Sequence, residues 1–252
     1  MKLLRVLLLS ALLAAHSLSF AAAPLNVAVA ANVKFAFDEL QAEFTRASGI
    51  AVSSVVASSG KIAAQVKSGA PFDVFLSADM EFPEALYKDG LASAAPKVYA
   101  RGLLVLWTTG AVDLKQGVKV LSDPAVRKVA IANPKLAPYG AEAMRVLDHY
   151  GLRAAVEPKL IYGESIAQVN QYIDTGSASI GFTAKSVVLA PQLQGRGRWV
   201  ELPRESYQPI AQGVVILKHG ADSNAAAAQR FIEFLASPGA RAIFEKYGYL
   251  LP

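Results

Sequence analysis

The chain has 252 residues, 53% hydrophobic and 18% charged, a formal net charge of +5 and no cysteine. That length builds one large domain or two medium ones with sizeable cores. The lack of cysteine excludes disulfides, thiol chemistry and a lipid anchor on an N-terminal cysteine, and a mild charge without any basic run argues against nucleic-acid binding.

At the start, Lys2 and Arg5 form a short basic region. The apolar stretch from Leu3 to Leu13 continues through Ala14 and Ala15, and small residues lead to Ala21-Ala22-Ala23. This is the pattern of a secretory signal peptide over residues 1–21, too short and wrongly flanked for a membrane span. Cleavage after Ala21 or after Ala23 fits, and Pro24 disfavours the second. Loss of Lys2 and Arg5 takes the net charge from +5 to +3. The expectation is an exported, soluble, monomeric protein in a bacterial periplasm, without a lipid anchor.

Val27–Ala30 reads as a strand that stops at Asn32 before an amphipathic helix pattern. Ala51–Ala57 repeats the theme, stopping at Ser58-Ser59-Gly60 before a second helix. Asp73–Ser77 reads as a buried strand, and a short helix follows from Glu81 to Asp89, ended by Gly90. Val98–Thr108 is a long apolar strand broken at Arg101-Gly102, which suits a crossing between domains. Lys128–Ala132 is a further strand, and Asn133–Gly140 a loop with two prolines. A helix spans Ala141–Tyr150 and closes at Gly151. Then come a strand at Lys159–Tyr162, a helix at Glu164–Asp174, and strands at Ala178–Thr183, Trp199–Leu202 and Pro209–Leu217. Helices at Asn224–Ala236 and Gly239–Tyr247 finish the chain.

Alternating strands and helices predict an α/β protein with mostly parallel sheets. Roughly ten strands would overfill one open sheet, so two sheets are expected. The architecture that fits is a two-lobed clamp, each lobe a mostly parallel sheet flanked by helices. Residues 24–101 plus 196–252 form lobe 1, and 102–195 form lobe 2, with a ligand cleft between them.

Candidates for catalysis are poor. His149 and His219 are far apart and lack metal-ligand spacing, so both read as surface residues. No G-x-S-x-G elbow, P-loop or dinucleotide fingerprint occurs. Ser59 could be proposed as the nucleophile of an exported hydrolase, but no nearby histidine suggests a triad. Asp79 reads as a helix cap, or as a ligand for a cationic group. The polar turns are better candidates for binding. Asn32 and Ser59 follow neighbouring strands, and small polar residues there either simply cap a helix or help its first amides to hold an anion. Ala137-Pro138-Tyr139-Gly140 opens another helix, as an ordinary entrance or as a donor from the Tyr139 amide and hydroxyl. In Glu164-Ser165-Ile166 the serine is a cap and Ile166 offers a backbone amide. Asn32, Ser59, Tyr139 and Ile166 are all neutral donors, which together suit a small dehydrated oxyanion met by dipoles instead of counterions.

Ala30-Ala31-Asn32, Ala57–Gly60, the segment from Gly69-Ala-Pro to Ser77-Ala-Asp79, Asn133-Pro with Ala137–Gly140, and Tyr247–Pro252 together resemble the molybdate-binding proteins of ABC transporters. The resemblance covers essentially the whole chain after the signal. It implies a periplasmic clamp, not an enzyme and without a cofactor, that closes on molybdate or tungstate and hands the anion to a membrane permease with its ATPase. Carried over, it puts oxyanion contacts on Asn32, Ser59, Tyr139 and Ile166, with Ala31 beside the anion and the Gly60 amide adding a bond. These are contacts to the oxyanion, not direct ligands of the metal. Two departures stand out. Many family members have a hydroxyl residue where Asn32 stands, and some have a tyrosine donor where this chain reads Phe182-Thr183-Ala184. The Tyr139 hydroxyl is the expected replacement for that donor. A carrier for another oxyanion such as sulfate, a sensory module and a serine hydrolase remain the alternatives.

Overall fold

The structure is a computed structural model that describes residues 23–252. The expected signal peptide over 1–21 lies outside the described residues. The first lobe opens with β1 (Leu25–Ala30), a single 3-10 turn (Ala31–Val33) and α1 (Lys34–Ser48). It continues through β2 (Val52–Ala57), α2 (Ser59–Lys67), β3 (Val74–Leu76), α3 (Glu81–Lys88) and β4 (Lys97–Gly102). The second lobe holds β5 (Leu104–Thr108), β6 (Val129–Ala132), α4 (Pro138–His149), α5 (Arg153–Val156) and β7 (Leu160–Gly163). It ends with α6 (Ile166–Asp174), β8 (Ile180–Ala184), α7 (Lys185–Val188) and β9 (Arg198–Glu201). The chain then returns to the first lobe as β10 (Ile210–Ile216), α8 (Lys218–Ser223), α9 (Ala225–Leu235) and α10 (Pro238–Lys246).

Two five-stranded sheets result, ordered β2-β1-β3-β10-β4 and β7-β6-β8-β5-β9. Each is mixed. Three strands run parallel, and one crossing strand, β10 or β5, pairs antiparallel with both its neighbours. Both lobes therefore follow one plan. The inner parallel strands β1, β3, β6 and β8 are buried on both faces and are mostly apolar, whereas the edge strands β2 and β7 are partly exposed. In the first lobe Phe37, Leu40 and Phe44 of α1 pack with Phe231 and Phe244 under Val27 and Val29, while Ile62 and Val66 of α2 cover Ala28 on the other face. In the second lobe Trp107, Ile131, Leu147, Ile173 and Phe182 share one core.

The first crossing is abrupt, with only Leu103 between β4 and β5. The second lies further along than the sequence suggested. Arg198–Glu201 pairs with β5, setting Trp199 opposite Trp107, so it extends the second sheet, and the return crossing falls in residues 202–209. The expected boundary at 196 is corrected accordingly. The outer edge of β5 takes a partner strand before the chain can leave the lobe, and no composition change marks the true crossing. α4 also starts earlier than Ala141. Pro138 occupies its first turn, where a missing N–H costs nothing, and this places Tyr139 inside the helix.

Candidate functional site

Four strands, β1 and β2 in one lobe and β6 and β7 in the other, end at the cleft and deliver the chain into helix N-termini. This is the carboxyl edge of the parallel strands, where open α/β sheets bind ligands. The capping residues are Ala30, Ser58, Ala137 and Ser165, all extended and none with a side-chain capping bond. Ser165 stands at the expected cap position without a capping bond, while Asn32 and Ser59, expected either as caps or as aids to an anion, lie inside the first turns. The first-turn amides of Ser59, Tyr139 and Ile166, like that of Asn32 in the 3-10 turn, have no acceptor within their own helices. They are available to something else.

Asn32, Ser59, Tyr139 and Ile166 come together around one small cavity between the lobes, with Ala31, Ser58, Ala78 and Pro138 among the other walls. No charged side chain lines it. Its volume is only about 10 Å³, far below the roughly 300–1,000 Å³ typical of sites for drug-sized molecules. A larger open depression of about 830 Å³ lies at the opposite edge of the second sheet, but Asp113, Asp123 and Asp174 line it and would repel an anion. Size alone therefore points to the wrong place.

Ser59 is 1% exposed, and its Oγ accepts from the Ala78 amide at 2.9 Å, which leaves the hydroxyl hydrogen free to donate. Ser58, the residue before it in the turn, also lines the cavity. Among the described residues three buried side-chain polar atoms lack a partner, and two of them, Asn32 Oδ1 and Ser58 Oγ, belong to this wall. Orphaned polar atoms are rare in native proteins, and two at one cavity mark a place built for an occupant. The Ser58-Ser59 doublet was the available signal for the second hydroxyl.

Gly60 departs from expectation. Its amide donates to the Leu136 carbonyl at 2.9 Å, so it ties the lobes together instead of facing the cavity. The Tyr139 hydroxyl accepts from Gln212 Nε2 at 3.2 Å and fills the space where a Cβ on Gly102 would stand. It therefore sits at the crossing, engaged by a protein partner, and the residue also lines the cavity. Burial pushes its pKa well above the ordinary phenol value, with the nearby Tyr249 and Tyr207 adding to the rise and the Asn32 and Gln212 side chains opposing it. Behind the site, Asn32 Nδ2 donates to Gln212 Oε1 (2.9 Å) and to the Tyr249 hydroxyl (3.3 Å), and Tyr99 donates to the same Gln212 oxygen (2.7 Å). Ser186 Oγ of α7 donates to the Asn32 carbonyl at 2.8 Å.

The other candidates stay outside. Asp79 accepts from Ser77 Oγ (2.9 Å) and from the Phe82 amide (3.3 Å) at the start of α3. Burial raises its pKa to about 6, the neighbouring Glu81 and Glu84 adding a little. His219 is not a plain surface residue, since its Nδ1 lies 2.9 Å from Oδ1 of the buried Asp73. Neither His149 nor His219 lines the cavity, so Ser59 has no base at hand there.

Comparison with known proteins adds an independent line. Residues 25–250 match the family model described as bacterial extracellular solute-binding protein. The molybdate-binding protein ModA of Azotobacter vinelandii is 42% identical over 232 residues, covering 90% of each chain. That of Rhodobacter capsulatus is 39% identical over 241 residues, covering 95% of this chain and 93% of the relative. The solved periplasmic molybdate-binding protein of Azotobacter vinelandii superposes with a TM-score of 0.84 at 36% identity, over 90% of this chain and 99% of that one.

Proposed function

The chain belongs to the bacterial extracellular solute-binding proteins, among their molybdate-binding members, and from that premise we propose that it captures molybdate and tungstate between its lobes. It acts in the periplasm and delivers the anion to an ABC permease driven by its ATPase. A binder of this kind is a transport component and not an enzyme.

The observation that carries the reading is the convergence of four helix N-termini, two from each lobe, on a small cavity without a charged side chain. Each terminus presents unpaired amides and the positive end of a helix dipole. An oxyanion there exchanges its water shell for fixed donors, each charge-assisted bond contributing on the order of 1.5–3 kcal/mol. Asn32, Ser59, Tyr139 and Ile166 contact the anion, the last two through their amides, with Ala31 beside it. Ser58 joins them through its hydroxyl. Because both lobes supply donors, only the closed state completes the set, so the anion shifts the population toward closure. The protein contacts across the cleft, Gly60 to Leu136 and Lys61 to Glu164 at 3.2 Å, then close beside it.

Selectivity follows from size and protonation. Sulfate is smaller than molybdate and leaves donors unmatched, at about 1–3 kcal/mol each. Hydrogen phosphate brings a proton that a wall of donors has no acceptor for. Titration calorimetry of the anion-stripped protein tests this. One-to-one binding of molybdate and tungstate with silence from sulfate and phosphate is the expected result. Preferential sulfate binding would leave the clamp standing but replace the cargo.

A further inference from the structure

The buried cluster behind the cavity has two possible hydrogen-bond polarities, and they present opposite faces to the ligand. In the structure as it stands, Asn32 Nδ2 and the Tyr99 hydroxyl both donate to Gln212 Oε1, and Gln212 Nε2 donates to the Tyr139 hydroxyl. Two features of that polarity are costly. Asn32 Oδ1, in a residue 1% exposed, has no partner. The single Tyr99 hydrogen faces two acceptors, Gln212 Oε1 at 2.7 Å and the Ser77 carbonyl at 3.2 Å. An orphaned buried acceptor forfeits its water without gaining a partner.

The two ends of a carboxamide have nearly the same shape, and only their hydrogen bonds tell them apart. Turning Asn32 and Gln212 over together keeps every heavy-atom distance. Gln212 Nε2 then donates to Asn32 Oδ1 and to the Tyr99 oxygen. The Tyr99 hydrogen goes to Ser77, and the Tyr139 hydroxyl donates to Gln212 Oε1. Asn32 Oδ1, Gln212 and Tyr99 then all have partners. The Tyr249 hydroxyl keeps the Asn32 backbone carbonyl as its acceptor and gives up the Asn32 Nδ2 donor, and the end of Asn32 without a protein partner becomes an NH2 donor that an entering oxyanion completes. In the first polarity that end is an acceptor, which an oxyanion meets unfavourably.

We propose that Gln212, fully buried on β10 and outside the cavity wall, is a positioning residue that selects the second polarity when an oxyanion enters, so that Asn32 offers Nδ2 to the ligand and the wall becomes all donors. This rests on the oxyanion reading above. It also assigns the Tyr139 hydroxyl a partner in Gln212 in both polarities, which leaves that residue's amide as its contact with the anion. Gln212 touches β4 through Tyr99 and α4 through Tyr139, so the switch is wired across the crossing between lobes.

A double-mutant cycle read by calorimetry with molybdate tests the role, because a residue that acts only through another has no effect once that other is replaced. Gln212→Met keeps the volume and removes both hydrogen-bonding ends. It is expected to lower molybdate affinity about tenfold, roughly 1.4 kcal/mol, with Asn32 present. In an Asn32→Ser background, where no carboxamide needs orienting, the same change is expected to alter affinity less than about twofold. An equal loss in both backgrounds would mean that Gln212 merely holds the crossing together and would overturn the proposal. A thermal melt of each variant, Gln212→Leu included, verifies folding. If the parent protein fails to bind molybdate, the oxyanion reading itself falls. If it binds and the cycle is additive, only the role of Gln212 falls.

Discussion

Asp79 shows how a single buried carboxyl sets a pH dependence. Its folded pKa of about 6 lies above the unfolded value of 3.8, so the native state holds the proton more tightly than the unfolded chain does. The stability this confers is full below the unfolded value and is lost as pH rises through about 6. Asp79→Asn, which keeps an acceptor for Ser77 and Phe82 but never ionises, is expected to melt a few degrees above the parent at pH 8. At pH 4 the two should melt together. A melt at pH 8 no higher than the parent's would remove burial as the cause. For Tyr139→Phe the expectation is the reverse of an anion contact. Molybdate affinity holds within about twofold, while the lost buried bond to Gln212 lowers stability by about 0.5–1.5 kcal/mol. At this scale the sequence named half of the residues that meet at the cavity, because small polar residues after apolar runs show where helix N-termini lie. It could not show which end of a side chain faces inward. Ser58, Gln212 and the direction of the Gly60 amide stayed invisible for that reason.

At the scale of elements, α2 and the loop before α4 meet across the cleft through Gly60 and Leu136. A Cβ on Gly60 would stand 3.0 Å from Leu136 Cα and 3.0 Å from Phe82 Cζ. Phe82 belongs to the same lobe and its ring end can turn aside, whereas the crowding with the Leu136 backbone exists only with the lobes together. Gly60→Ala should therefore weaken molybdate binding several-fold and cost the anion-free protein little in melting temperature. Equal affinity would show that the two elements part without cost. The long strands and helices were legible because burial on both faces of a parallel sheet and on one face of a helix imposes distinct periods. The short helices α5, α7 and α8 were not, since four to six residues carry too little of a period. Yet α7 matters, because its Ser186 reaches the Asn32 carbonyl from the other lobe.

Across the whole molecule, closure draws on buried contacts and hardly on surface charge. Lys61 and Glu164 bridge the lobes with side chains 52% and 70% exposed, and such pairs contribute little in salt. Lys61→Ala is therefore expected to change molybdate affinity less than about threefold at 0.15 M ionic strength. A much larger loss, measured by the same calorimetry, would make this pair a true latch. Small-angle scattering should show the particle contract on adding molybdate to the stripped protein.

What the sequence determined by itself was the alternation of strands and helices, the existence of two sheets and the chemical character of the turns. All of these are local consequences of burial period and capping preference. Tertiary structure alone decided where the chain leaves the second lobe, because strand pairing between β5 and β9 is a contact between residues some ninety positions apart that composition does not mark. It also decided that four N-termini share one cavity and that Gln212 stands behind it. Hydrogen-bond polarity belongs to a closed set of buried neighbours, and that set exists only once both crossings have brought the lobes together.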